Sequence, residues 1–126
     1  MQTYSNLNDH LHQFCGTVNY YKHPLGYHYT DGVQHVASRY GTYWLLADIG
    51  AYIRQNPKLK QNYSFISWTL KRCNGKGGVP GDSFTLTAED GNYNKLFETI
   101  IPYSDFPADQ LSLCFEAGVL LLPSEH

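Results

Sequence analysis

YTDGVQHVASRYGTYWLLADIGAYIRQNP, residues 29–57, decides the fold, because it carries two consecutive helical patterns bounded by start and stop signals. Thr30 or Asp31 can cap a first helix, on which Val33, Val36, Ala37 and Tyr40 recur at helical spacing and form one apolar stripe. Gly41 suits the left-handed position after that helix, and Thr42 can cap a second one that Pro57 stops. Arg54 and Lys58 flank the negative C-terminal end of this second helix. With Trp44, Leu45, Leu46, Ala47, Ile49, Ala51, Tyr52 and Ile53 it is apolar almost all round. A helix of that kind is normally enclosed, so the rest of the chain is expected to pack on it.

Before this pair, Leu7, Leu11 and Phe14 are spaced for a short helix starting at Asn6 or Asn8, and residues 17–21 read as a strand. His23 to Tyr29 reads as a loop turning at Pro24 and Gly26. After the pair, residues 63–72 alternate, with Ile66, Trp68 and Leu70 on one face and Ser67, Thr69 and Lys71 on the other. The glycines between Cys73 and Gly81 predict a flexible hairpin loop; residues 82–88 resume the alternation, and Asp90-Gly91-Asn92 signals a short hairpin into residues 95–103. Residues 111–115 alternate again, Gly118 turns the chain, and residues 119–123 form a last strand, apolar on both faces and so expected to be covered. These patterns predict one domain over residues 1–126, an α+β fold with an antiparallel sheet of four to six strands packed against two or three helices.

A chain of 126 residues can bury about two-thirds of its unfolded surface around a single core. Charged residues make up only 16%, while aromatics reach 15% with eleven tyrosines, which suits sheet faces or an interaction surface. A net charge of −2 argues against general attraction to nucleic acid or to an anionic membrane. The charge is nevertheless polarised. Cations gather between Arg54 and Lys76 and acids after Asp82, so an acidic face that mimics nucleic acid is one alternative. Three cysteines, Cys15, Cys73 and Cys114, form no even framework and predict free thiols in the cytoplasm. No apolar run approaches the length of about 18 residues that spans a bilayer.

No stretch carries a complete reaction motif. The helical pair has the outline of a helix-turn-helix, but its second helix would present Tyr43, Trp44, Leu45 and Leu46 to base edges that they cannot read. The loop around Lys76 lacks the Ser or Thr and the following helix of a phosphate cradle, which leaves Lys76 as a contact residue for a partner. The histidines show no metal-ligand spacing, so no metal and no cofactor are expected. Cys15 with His35 and Asp31 could form a nucleophilic triad only if the fold brought them together. Asp48 lies inside the most apolar helix, where a buried carboxylate must be hydrogen-bonded, paired or protonated; Asp48→Asn is then expected to cost stability. Perturbed acids gather at functional sites, which keeps Asp48 and Asp105 among the candidates.

Taken together, residues 29–32 (YTDG), 43–46 (YWLL) with Asp48, 90–92 (DGN), 102–107 (PYSDFP) and 122–125 (LPSE) resemble a small family of uncharacterised bacterial and phage or plasmid proteins, one of the numbered domains of unknown function. The resemblance runs from about Phe14 to the C-terminus. Here Ala47 is an extra residue before the acid, Ser104 stands where threonine is usual, and His126 stands where tyrosine usually ends the chain. The resemblance implies a mobile-element setting and action on a host protein or defence complex.

The function expected from these readings is a small cytosolic, non-catalytic protein that binds another protein through a Tyr-rich sheet face and the loops around Lys76 and Asp90, with Asp31, Asp48, Lys76, Asp90, Asn92, Tyr103 and Asp105 as binding candidates. The main alternative is a small-molecule-binding protein or hydrolase with a pocket between helices and sheet, using Asp31, Asp48, Asp105 or His35. A homodimer formed through an exposed strand edge is compatible with both.

Overall fold

The computed structural model describes residues 4–6, 19–56, 65–74, 80–90, 94–104 and 106–125. In chain order these form β1 (Tyr4–Asn6), β2 (Tyr20–Lys22), β3 (His28–Thr30), α1 (Asp31–Tyr40), α2 (Tyr43–Gln55), β4 (Phe65–Asn74), β5 (Pro80–Glu89), β6 (Lys95–Ile101), β7 (Ala108–Glu116), β8 (Val119–Leu121) and a 3-10 turn (Pro123–Glu125). The fold is α+β. Its sheet runs β2-β3-β8-β7-β4-β5-β6, and β1 pairs with β7 beyond the end of β8.

The helical pair forms as its sequence predicts. Thr30 caps α1, its hydroxyl accepting from the Val33 N–H at 3.4 Å, and Gly41 closes it at φ 69°, in the region that glycine reaches without strain. Thr42 stands at the start of α2, but its side chain makes no capping bond; its carbonyl accepts from Leu45 N–H instead. α1 buries Val33, Val36 and Ala37, and α2 buries Leu45, Leu46, Ile49, Gly50 and Ile53. Gly50 is required there: a Cβ would lie 2.8 Å from Tyr27 Cε1 and 3.0 Å from Leu25 Cδ1. The same Tyr27 donates its hydroxyl to the Leu46 carbonyl at 2.6 Å, which fastens α2 to the β2–β3 hairpin.

The alternation in β4 is carried across the sheet by register. Trp68 stands opposite Ala88 on one side and Leu113 on the other, and Leu70 opposite Leu86 and Leu111. All six are buried on the face that the helices cover. The opposite face presents Ser67, Thr69, Thr85, Thr87 and Ser112, half-buried hydroxyls in place of a tyrosine surface. Among the described tyrosines, Tyr27 belongs to the core, Tyr29, Tyr40 and Tyr52 pack against it, Tyr21 stacks on Tyr29, and Tyr20, Tyr43 and Tyr103 are exposed.

Three expectations are corrected. Among the described residues the sheet has eight strands and is mixed, since β1 runs parallel to β7 and β3 parallel to β8. The extra strands have three residues each, too few for alternation to declare them, and β3 occupies the end of the stretch that reads as a loop. β4 also runs two residues past Arg72 to Asn74, which pairs with Pro80 across a register shift. Finally, α2 is covered on one side only: Tyr43, Ala47, Asp48, Arg54 and Gln55 are exposed. The helix expected over residues 6–14 lies outside the described residues.

Candidate functional site

Most of the motif residues are occupied with holding the fold together. Asp31 opens α1 and accepts from the Asn19 N–H at 3.1 Å and the Tyr21 hydroxyl at 3.2 Å, which ties β2 to the helix. Asp90 closes the β5–β6 turn through both carboxylate oxygens, accepting from the Asn94 backbone at 3.2 Å and from its side chain at 2.9 Å. Ser104 accepts from the Phe106 N–H at 3.2 Å and so shapes the turn that sends Phe106 edge-on against Phe84. Arg72 crosses beneath that turn. Its guanidinium donates to Asp109 at 3.0 Å and to the carbonyls of Phe106 and Ala108, and lies 4.7 Å above the Phe84 ring. The sequence reading missed Arg72 because its partners lie more than thirty residues away.

The first and last motifs meet. Glu125 receives the Thr30 hydroxyl at 2.6 Å and the Gly32 N–H at 3.3 Å, so an anion sits at the positive N-terminus of α1. The same carboxylate accepts from the Leu122 N–H at 3.0 Å, while the Glu125 N–H returns to the Leu122 carbonyl at 2.9 Å. This is the glutamate half of a capping box on the 3-10 turn, with the Leu122 carbonyl accepting where a Ser or Thr side chain would and proline in the first position. Gly32 is glycine because a Cβ would stand 2.6 Å from both Glu125 Oε1 and Leu122 Cδ1. The sequence reading did not connect these ends.

Asp48 is the exception. Expected to be buried and satisfied, it is exposed on α2, and no described residue bonds or pairs with it. It lies on the rim of a cleft of about 280 Å³ between α2 and the edge of the sheet, lined by Ala51, Tyr52 and Gln55 of the helix and by Leu86, Phe97, Thr99 and Ile101 of β5 and β6. The surrounding apolar wall partly desolvates the carboxyl and raises its pKa above the ordinary aspartate value. Tyr52 and Phe97 form the aromatic end of the cleft with ring centres 4.0 Å apart, and the Tyr52 hydroxyl donates to the Leu96 carbonyl at 3.1 Å. Below them lies Trp68, edge-on to Tyr52, with its indole N–H buried and without a partner among the described residues. Nothing in the local sequence marks Phe97, Thr99 and Gln55 as neighbours of Asp48.

The predicted site residues therefore do not converge. Asp31, Asp48, Asp90 and Tyr103 occupy separate places, His35 packs edge-on against Tyr40, and Lys76, Asn92, Asp105 and Cys15 lie outside the described residues. Cys114 is buried, and desolvation together with Glu116 pushes its thiol up to about 11, which suppresses the reactive thiolate. Among the described residues no group of three or more His, Cys, Asp or Glu side chains could hold a metal ion, and no helix is long and apolar enough to cross a membrane.

A model of a family of unknown function (DUF6876) matches residues 5–126, and the chain belongs to that family. No curated protein and no solved structure matches it.

Proposed function

We propose that this protein is a small cytosolic, non-catalytic binding module that engages a partner protein along the β6 edge of its sheet. One observation carries the reading. Ile100 on β6 and Tyr103 just beyond it are 66% and 70% exposed, large apolar side chains at the end of a strand that is an open edge among the described residues. An edge strand offers unpaired backbone groups to a partner strand, and exposed apolar side chains beside it supply contact area. Asp31 and Asp90, two of the candidate acids, are meanwhile engaged at the start of α1 and in the β5–β6 turn. The resemblance to bacterial and mobile-element proteins supports a host protein or defence complex as the partner.

The test is affinity capture from a host lysate with the wild-type chain and with Ile100→Asp combined with Tyr103→Ser. The wild type should retain a defined protein that the double variant loses at an unchanged melting temperature. Equal retention by both, or repeated failure of the wild type to retain anything, refutes the proposal.

The cleft beside Asp48 supports a second reading, a small-molecule-binding protein. Hydrolysis is less well supported there, because the Tyr52 hydroxyl is engaged with Leu96 and no other described lining residue could share acid–base work with Asp48.

A further inference from the structure

We infer that the cleft between α2 and β6 receives the guanidinium end of an arginine carried by the partner protein. The inference rests on reading the chain as a protein-binding module and assigns chemistry to one point of that contact. Asp48 is the only charged group among the described lining residues, and no described side chain neutralises it. Gln55 and Thr99 stand in the same lining with further oxygen acceptors. A planar fork of five N–H donors uses several acceptors at once, whereas an ammonium is a compact, strongly hydrated point charge. Tyr52 and Phe97 supply the aromatic surface on which guanidinium groups settle, and Leu86 and Ile101 can cover the aliphatic stem.

Position favours a side chain over a free ligand. At about 280 Å³ the cleft stands at the lower end of the range of roughly 300–1,000 Å³ usual for small-molecule pockets and has room for one side-chain end. Its sheet side is formed by Phe97, Thr99 and Ile101, alternate residues of the edge strand. A partner strand added to that edge would lie about 4.8 Å away, with every second side chain directed to the helix side, beneath α2. The cleft also keeps water from part of the Asp48 carboxyl, and a partly desolvated anion with no counter-charge gains most from an incoming cation.

The experiment is an NMR titration of the whole protein with Nα-acetyl-arginine methylamide and with the uncharged isostere Nα-acetyl-citrulline methylamide. The amides of Asp48, Tyr52, Phe97 and Thr99 should shift saturably with the arginine compound, and the citrulline compound should bind at least roughly ten-fold more weakly. Asp48→Asn should remove the difference while leaving the remaining spectrum in place. Equal binding of both compounds, or no response at those amides, overturns the inference. In affinity capture, Asp48→Asn should also weaken retention of the partner; unchanged retention would make the cleft a site for a free guanidinium ligand and overturn the partner assignment. The two proposals fail separately. Silence from the arginine compound with capture still dependent on Ile100 and Tyr103 removes the cleft alone, and loss of that dependence removes the edge-strand reading.

Discussion

Two carboxylates, at the two helices, receive opposite treatment. Glu125 is surrounded by donors at the start of α1: a hydroxyl, the Gly32 N–H and the Leu122 N–H. Asp48, in the middle of α2, faces an apolar cleft without a described partner. The first arrangement lowers the free energy of the fold, and the second raises it. A group kept at a cost to folding is a better candidate for function than one the fold requires. That contrast, more than the motif pattern, selects the α2–β6 cleft over the α1 knot, although both carry residues that the sequence analysis singled out.

The sharpest way to break the contrast is to remove the donors' common target. Glu125→Ala leaves the Thr30 hydroxyl and two backbone N–H groups without their acceptor and should cost about 3 kcal/mol of stability, as expected for charge-assisted bonds at a helix start. Denaturant unfolding measures it. A loss of a few tenths would mean that Glu125 is a surface residue whose bonds water replaces. Next in size comes Gly32→Ala, which keeps every donor but drives a methyl group into Leu122 and Glu125; overpacking of this kind should cost about 2 kcal/mol. The two variants should not add, since each displaces the same carboxylate. Full additivity in the double variant would show that the knot is two independent contacts.

How much of this was legible in the chain depends on sequence separation. Thr30, Gly41 and the apolar stripe of α1 are local signals, and the structure realises each of them. So do Ile66, Trp68 and Leu70, whose alternation gives the β4–β5–β6 meander its buried face. The parallel pairs could not be read, because β1 and β8 reach their partners only through the whole intervening chain. For the same reason Gly32 and Glu125, 93 positions apart, gave no sign of meeting. The Asp48 error has a different origin. Ala47 and Ala51 make α2 look apolar on every side, but their small side chains also suit an exposed helix surface, so the hydropathy pattern overstated the enclosure.

The smallest predicted effect is also the one that reverses the sequence-based expectation. If Asp48 were a satisfied core acid, Asp48→Asn would destabilise the protein; with the carboxylate partly desolvated and without a described partner, the amide should instead be neutral to slightly stabilising at pH 7, the gain held to about a few tenths of a kcal/mol by solvent screening of so exposed a group. The pH dependence separates this from a generic surface effect. A folded-state pKa above the ordinary 3.8 means that the fold favours the protonated acid, so the stability tied to Asp48 is complete below 3.8 and is lost as pH rises through the folded value. The advantage of the asparagine variant should therefore be present at neutral pH, shrink on acidification and vanish below 3.8, as read from melting curves of both proteins across that window. A variant less stable than wild type at pH 7, or a difference that does not change with pH, would place Asp48 with Glu125 among the acids that hold the fold, and the cleft would lose its claim to a cation.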